Sequence, residues 1–240
     1  MMKLLQKIQV FSPHFDDASL SCGEHILRWK KAGIDVEVYT VFSQFESHFL
    51  SADSVDFMER SGSNSAQSFQ HERSKEDSRS MKLLSIEKYH WLGFTDGGFR
   101  SKDELPVYPS HKVLFAGKIL DNEEWQKKLL SQLKSVLRDD AVIVFPLGVG
   151  QHADHLLVRN LLQQIVHEQR QLQYVDVPYA LSFHQWTSEQ LIKLLLQPRS
   201  LAWSSAQKLK AVEAYTSQVP TLFYDALWEY PECLIGQAVS

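Results

Sequence analysis

Residues 7–17 of the chain read KIQVFSPHFDD, and this stretch decides the fold. Its first five residues mix β-branched and aromatic side chains, a composition typical of a strand, and Ser12-Pro13 predicts where that strand ends. A helix is predicted from about Leu20 to Ala32, and a second strand over residues 35–42 follows it. This succession is a βαβ unit, which implies a parallel sheet. The polar residues after Pro13 therefore lie at the carboxyl end of a strand.

The rest of the chain continues this alternation. The apolar run at residues 141–145 predicts a strand that is buried on both faces and ends at Pro146. Further strands are predicted at 89–92 and 174–177, and helices at 71–84, 123–137, 152–169, 189–196 and 208–218. The sequence contains no internal repeat and no linker. We expect a single Rossmann-like α/β domain over residues 1–240, with a mostly parallel sheet flanked by helices.

The composition excludes several classes of function. Of the 240 residues, 44% are hydrophobic and 22% are charged, as in ordinary globular proteins. The net charge of −4 provides no general attraction to nucleic acid or anionic lipid, so neither is an expected partner. Only Cys22 and Cys233 are present, no apolar run is long enough for membrane insertion, and the charged start lacks a signal-peptide core. We expect a cytoplasmic protein that binds a small molecule, with homo-oligomers possible.

Residues 44–70 are rich in serine and lack a sustained apolar period. This composition predicts a long surface loop that leaves the carboxyl end of the second strand and borders the site there. Four phenylalanines in this segment would cover the site and exclude water, namely Phe45, Phe49, Phe57 and Phe69. A mobile solvent loop without a role is the alternative.

Two short clusters carry side chains that bind metal ions. One is His14-Phe15-Asp16-Asp17 after the first strand, and the other is His152-Ala153-Asp154-His155 after the apolar strand. The carboxyl ends of parallel strands share one edge of a sheet, so the two clusters can meet there. His14, Asp17 and His155 offer the ligands of a hydrolytic zinc site, which leaves a fourth position for water. Asp16 then lies beside the metal, where its carboxylate can accept a proton from that water.

Each of these residues also has a structural explanation. A His-x-Asp-Asp turn often caps a helix, and two histidines three residues apart on a helix often have no function. Asp154 either orients an imidazole as an outer partner of the metal or caps its own helix. Arg73 either pairs with Asp77 on a helix surface or binds a hydroxyl or phosphate of the substrate. The position of both clusters after apolar strands that end in proline favours the metal site.

Together, the two clusters resemble the paired signature of the PIG-L/LmbE-like zinc-dependent de-N-acetylases. Further similarity lies in Arg73 and Glu76, in Asp96, and in a pattern from Lys208 to Ser217-Gln218, so the resemblance covers most of the chain. It implies the hydrolysis of N-acetyl groups on glucosamine-containing conjugates. It also implies that Asp16 is the general base and that His152 faces the tetrahedral intermediate. The metal ligands implied by the resemblance are again His14, Asp17 and His155.

Two positions depart from the family pattern. Phe15 stands where the family most often has proline, and Ala18 where it often has glutamate. Neither is an expected ligand or base, so the departures concern the substrate more than the reaction. We expect a metal-dependent hydrolase that removes an N-acetyl or other N-acyl group from an amino sugar or related conjugate. Its cofactor would be Zn²⁺ or another divalent metal such as Fe²⁺, and a protonated His152 would stabilise the oxyanion. The alternative is a non-catalytic sugar- or nucleotide-binding protein that uses the same crevice.

Overall fold

The computed structural model describes residues 7–46, 48–181, 183–197, 199–219 and 231–236. Its strands are β1 (Lys7–Ser12), β2 (Asp35–Gln44), β3 (Lys88–Thr95), β4 (Ser101–Lys102), β5 (Leu105–Pro106), β6 (Val142–Pro146), β7 (Gln171–Tyr174), β8 (Arg199–Ala202) and β9 (Glu232–Gly236). Its helices are α1 (Asp17–Lys31), α2 (Ala52–Arg60), α3 (Ala66–Leu83), α4 (His111–Leu114), α5 (Glu123–Val136), α6 (Ala153–Ile165), α7 (Ser188–Leu196) and α8 (Ala206–Glu213).

Seven of the strands form one mixed sheet in the order β3-β2-β1-β6-β7-β9-β8. The first five are mutually parallel, whereas β9 is antiparallel to both β7 and β8. Strand order therefore changes direction between β1 and β6, which are hydrogen-bonded neighbours. In an open sheet of this kind, the crevice outside the carboxyl ends of two such strands is where ligands bind. The predicted α/β fold with a mostly parallel sheet is confirmed; its extent over residues 1–240 stays a prediction.

Side chains from alternate residues of the central strands pack into two hydrophobic cores, one on each face of the sheet. Val10 of β1 packs in a core with residues of α1, α3 and α8, including Ile26 and Met81. The next residue, Phe11, packs on the opposite face with residues of α5 and α6, including Leu129 and Leu157. Successive side chains of a strand point to opposite faces, so a strand buried on both sides is rich in apolar residues. This is why the apolar run at 141–145 becomes the central strand β6.

The structure corrects two predicted elements. The strand predicted at 174–177 lies earlier, at Gln171–Tyr174, because Asp176 leaves the ladder and accepts the backbone N–H groups of Gly148 and Val149. The helix predicted from His71 begins at Ala66. In the part of the chain that the structure describes, no helix is long and apolar enough to cross a bilayer.

The serine-rich segment 44–70 is not a long loop, so this prediction is wrong. It contains all of α2 and the start of α3. Its serines act as helix caps: Ser51 accepts the backbone N–H of Ser54, and Ser65 forms a capping box with Ser68. Met58 and Phe69 are buried and anchor both helices in a small core. Serine is common both in loops and at helix N-termini, which is why the composition alone misled.

Gly150 lies in the turn between β6 and α6 that carries the second cluster. Its φ is +86°, and a Cβ atom there would lie 2.5 Å from Cγ of Tyr179. Gly33 has a similar φ of +79° but no atom within 4 Å of such a Cβ. An alanine at either position would therefore strain the backbone to a similar degree. Only at position 150 would its methyl group also collide with a neighbouring side chain.

We expect Gly150→Ala to lower the free energy of unfolding by at least about 1 kcal/mol more than Gly33→Ala, because only the first methyl overlaps a neighbouring ring, that of the partly buried Tyr179. Equilibrium unfolding in urea on both variants measures the difference. Equal losses in the two variants would contradict the close packing of Tyr179 on the turn.

Candidate metal and active site

A cavity of about 310 Å³ opens at the carboxyl ends of β1 and β6. Its lining includes residues from both clusters of the sequence, together with Arg73 of α3 and Asp96 after β3. Asp154 and His155 of the second cluster are outside this lining and are fully buried. The folding of the sheet thus brings together two segments that are far apart along the chain.

The carboxylate of Asp17 lies where the three predicted metal ligands meet. Its Oδ2 atom accepts the backbone N–H of His14 at 2.7 Å and lies 3.2 Å from Nδ1 of the same residue. The same oxygen is 3.4 Å from Nε2 of His155. Burial alone would raise the pKa of Asp17, but His155 and His14 outweigh it and lower that pKa to about 2. Asp17 is therefore an ionised carboxylate at neutral pH.

His155 has the orientation of a metal-binding imidazole. Its Nδ1 atom lies 2.6 Å from Oδ1 of Asp176, so this nitrogen donates its hydrogen to the carboxylate. Its Nε2 atom is buried and has no hydrogen-bond partner among the described residues. A buried polar atom without a partner needs an explanation, and a carboxylate behind the other ring nitrogen is how proteins orient histidine ligands. When His155 is neutral, with Nδ1 donating to Asp176, its lone pair lies on Nε2, and this atom facing Asp17 fits a bound cation.

Two further groupings of donors surround His14. The ligand atoms of His14, His152 and His155 lie within 4.8 Å of one another, as do those of His14, Asp96 and Asp154. Neither grouping includes Asp17, although its carboxylate directly contacts the other two predicted ligands. All these donors are imidazole nitrogens or carboxylate oxygens, which suit zinc and also iron. The site therefore fits a divalent metal, with more donors than one ion needs.

Asp154 orients an imidazole and does not cap its helix. Its Oδ2 atom lies 3.1 Å from Nε2 of His14 and accepts the backbone N–H of Gly97 at 2.8 Å. The other oxygen is ion-paired with Arg100, and the cap of α6 is His152. Burial alone would raise the pKa of Asp154, but the Arg100 guanidinium outweighs it and holds that pKa far below its ordinary range.

Arg100 and Asp176 were not identified from the sequence. The Arg100 guanidinium is buried, ion-paired with Asp121 at 2.9 Å, and placed 4.5 Å from the ring centroid of Trp125. No motif around this arginine points to the site, so the sequence contains no signal for it. Asp176 does have one, because it is an acidic residue next to a predicted strand end on the edge of the sheet where the site forms.

His152 is a neutral imidazole in this arrangement. Its Nδ1 atom accepts the backbone N–H of Asp154 at 3.1 Å, so the ring hydrogen sits on Nε2. Burial lowers the pKa of His152 well below its ordinary value, and the neighbouring His14 lowers it further. In this neutral form the imidazole carries no positive charge but can still donate a hydrogen bond from Nε2.

Arg73 is buried and does not form the surface pair with Asp77 that the sequence allowed. One terminal nitrogen lies 3.2 Å from Oδ1 of Asp16, and the other lies 3.8 Å from Oε2 of Glu76. Its Nε and Nη1 atoms make no hydrogen bond to the rest of the described chain. A buried guanidinium with free N–H groups beside a cavity is suited to bind an oxygen-bearing ligand.

The sequence matches the PIG-L family, described as GlcNAc-PI de-N-acetylase, over residues 9–166. The chain belongs to the PIG-L family. No curated protein sequence matches it.

Solved structures share the whole fold of this PIG-L protein. A deacetylase of the teicoplanin biosynthesis pathway, in its bog complex, has a TM-score of 0.77 at 22% identity, covering 95% of this chain and 96% of its own. The zinc-inhibited form of the teicoplanin deacetylase Orf2 has a TM-score of 0.74 at 21% identity, and the match covers 95% of this chain and 97% of Orf2. The A40926 pseudoaglycone deacetylase Dbv21 has a TM-score of 0.74 at 20% identity, and the match covers 98% of this chain and 99% of Dbv21. At these identities, the likeness establishes the shared fold.

A buried chain of hydrogen bonds supports the first cluster of this PIG-L protein. The hydroxyl of Tyr215 lies 2.7 Å from the carbonyl oxygen of Phe15 and 2.8 Å from Oδ1 of Asp77. Trp91 donates its indole N–H to the other oxygen of Asp77 at 2.6 Å. The phenol has one hydrogen for two acceptors, so both contacts are satisfied when a protonated Asp77 donates to Tyr215. In agreement, burial raises the pKa of Asp77 to about 7.

The raised pKa of Asp77 predicts a defined pH dependence of stability. Between about pH 4, its ordinary pKa when unfolded, and about pH 7, the folded state binds more protons, so the free energy of unfolding falls as pH rises. We expect Asp77→Asn to remove this fall, because the amide accepts from Trp91 and donates to Tyr215 without titrating. Thermal unfolding at about pH 5 and about pH 8 measures it. Asp139→Asn, at an exposed site, is the control; the same slope in wild type and Asp77→Asn would contradict the assignment.

Proposed function

We propose that the chain is a metal-dependent amide hydrolase that removes an N-acetyl or other N-acyl group from an amino sugar or a related small conjugate. The observation that carries the proposal is the buried, unpartnered Nε2 of His155, which faces the ionised Asp17 at 3.4 Å beside a cavity also lined by Asp16. Membership of a family described as GlcNAc-PI de-N-acetylase supports the reaction class. The structural relatives from the teicoplanin and A40926 pathways, which are deacetylases, agree with it.

The proposed metal ligands are His14, Asp17 and His155, and the proposed metal is Zn²⁺, with Fe²⁺ as the second choice. We prefer Asp17 to His152 because an ionised carboxylate adds negative charge for a cation. In contrast, Nδ1 of His152 already accepts the backbone N–H of Asp154 at the start of α6. Such an ion, when bound, polarises the acyl oxygen and lowers the pKa of a water molecule. Asp154 and Asp176 hold the two imidazoles in place from behind.

The side chains of the site then divide the work of amide hydrolysis. Asp16, held by Arg73 at 3.2 Å, accepts a proton as the water oxygen forms its bond to the acyl carbon. His152 donates a hydrogen bond from its Nε2–H group to the acyl oxygen on which negative charge develops. As the C–N bond breaks, Asp16 returns the proton to the leaving nitrogen, so that one water yields a carboxylic acid and an amine. The free N–H groups of Arg73 bind a substrate hydroxyl or phosphate.

We expect His14→Ala, Asp17→Ala and His155→Ala each to weaken metal binding by at least roughly 100-fold, since loss of even an outer partner costs about 10- to 100-fold. Elemental analysis after dialysis against a metal buffer measures this, and circular dichroism verifies the fold. His152→Ala is the matched control and should retain the metal. Full occupancy in Asp17→Ala together with loss in His152→Ala would assign the ion to the three histidines instead.

We expect Asp16→Asn to keep the metal and to lose at least roughly 100-fold in kcat, because an amide cannot accept the proton of the attacking water. The assay is the release of acetate and free amine from N-acetylglucosamine and its conjugates by the metal-loaded chain. Undiminished turnover would place the base elsewhere. Sugar binding by the wild type without any turnover would favour the non-catalytic sugar-binding alternative.

A further inference from the structure

Four phenylalanines form one side of the cavity, here called the aromatic wall: Phe45, Phe57, Phe69 and Phe99. The ring centroid of Phe45 lies 4.7 Å from that of Phe69 and 4.8 Å from that of Phe99. The ring of Phe57 lies 5.8 Å from that of Phe69. Phe69 and Phe99 are buried in a small core, whereas Phe45 and Phe57 are only partly buried. The wall is therefore one packed unit whose two outer rings are accessible from the cavity.

Of the two polar side chains that α2 contributes to the cavity, the Ser54 hydroxyl is fully engaged and Arg60 is partly engaged. The hydroxyl of Ser54 donates to the carbonyl of Gly98 at 2.5 Å and lies 2.7 Å from the hydroxyl of Ser51. Arg60 donates to Asp56 of its own helix at 2.8 Å. Hydroxyl groups that enter a site without finding partners lose their hydrogen bonds to water. This side of the cavity is thus better suited to an apolar group than to the rim of a sugar ring.

A chain of ring contacts, which includes two imidazoles, continues from the aromatic wall to the catalytic side of the cavity. The ring of His111 lies 6.2 Å from that of Phe57 and 6.4 Å from that of Phe115. Phe115 in turn lies edge-on to His152, with 4.7 Å between their ring centroids. Leu114 lines the same region. The methyl group of an acetamide at the reacting position could cover only a small part of this surface.

We propose that the substrate carries an apolar group larger than methyl, attached close to the scissile amide, and that the aromatic wall binds this group. The inference rests on the proposed amide hydrolysis and names the substrate class more narrowly. The apolar group is either the acyl chain or a hydrophobic substituent of the amino sugar. Both present the same surface to Phe45 and Phe57, and removal of that surface from water favours binding.

Three substrates of the zinc-loaded chain distinguish the two sources. N-acetylglucosamine carries neither group, N-hexanoylglucosamine carries an apolar acyl chain, and octyl N-acetylglucosaminide carries an apolar substituent on the amine product. We expect a kcat/KM at least about tenfold higher for one of the two apolar substrates, because a single methylene in a hydrophobic pocket changes kcat/KM by about tenfold or more. The substrate that gains identifies the part of the molecule on the wall.

Phe57→Ala tests whether the aromatic wall is responsible. This variant should lower the ratio of kcat/KM between the preferred substrate and N-acetylglucosamine by roughly tenfold. Phe49→Ala is the matched control, because Phe49 belongs to the same segment but is 48% exposed and lies outside the cavity lining. It should leave the ratio unchanged. Equal kcat/KM for all three substrates, or an unchanged ratio in Phe57→Ala, would overturn the inference and leave the proposed hydrolysis intact.

Calorimetry on Asp16→Asn separates a failure of this inference from a failure of the proposed function. If no substrate is hydrolysed by the wild type, the Kd values of the three compounds are compared in this variant and in its Phe57→Ala double variant. Tighter binding of an apolar compound that is lost with Phe57 supports the wall as its binding site, although the hydrolase proposal has then failed. Equal Kd values for all three compounds would overturn the inference.

Discussion

Buried carboxylates crowd the carboxyl ends of β1 and β6, and like charges in a poorly solvated site stay ionised only where cations face them. Asp154 faces Arg100, and Asp16 faces Arg73. These pairings fix where the helix α3 and the turn after β3 must lie relative to the central strands. Within the described chain, Asp17 meets imidazoles and a backbone N–H instead of an arginine or lysine. The remaining negative charge is therefore concentrated where the proposed ligands meet, and a divalent cation would balance it.

The central strands and both clusters could be predicted from the sequence because their signals are local. A strand buried on both faces is rich in apolar residues, as Ile8, Val10 and Phe11 of β1 and the whole of β6 show. Proline follows β1 directly and is the last residue of β6. When the two strands are neighbours in a parallel sheet, the residues that follow them lie in the same crevice at the carboxyl ends of the strands. The association of His14 with His155 thus follows from two short segments and one rule of topology.

The parts that could not be predicted depend on contacts between distant residues or on ambiguous composition. The position of the Arg100 side chain depends on its ion pairs with Asp121 and Asp154, and the sequence around Arg100 does not indicate either contact. The neutral state of His152 follows from burial and from one backbone N–H, which the sequence does not reveal. The serines of α2 and α3 are equally compatible with a loop until Met58 and Phe69 are seen to be buried. Composition describes a segment, whereas packing decides its structure.

One of the two departures from the family pattern, Phe15, packs against the aromatic wall. Phe15 is fully buried; its ring lies 6.2 Å from Phe45 and 5.7 Å from Trp91, and its carbonyl accepts the hydroxyl of Tyr215. Ala18 is also fully buried, in the hydrophobic core on the other face, where a glutamate would place a carboxylate among apolar side chains. Phe45 thus contacts the motif on one side and the cavity on the other. Because Phe15 touches the wall through this ring, a change of side chain at Phe15 alters the packing of the wall while the polar residues of the motif stay the same.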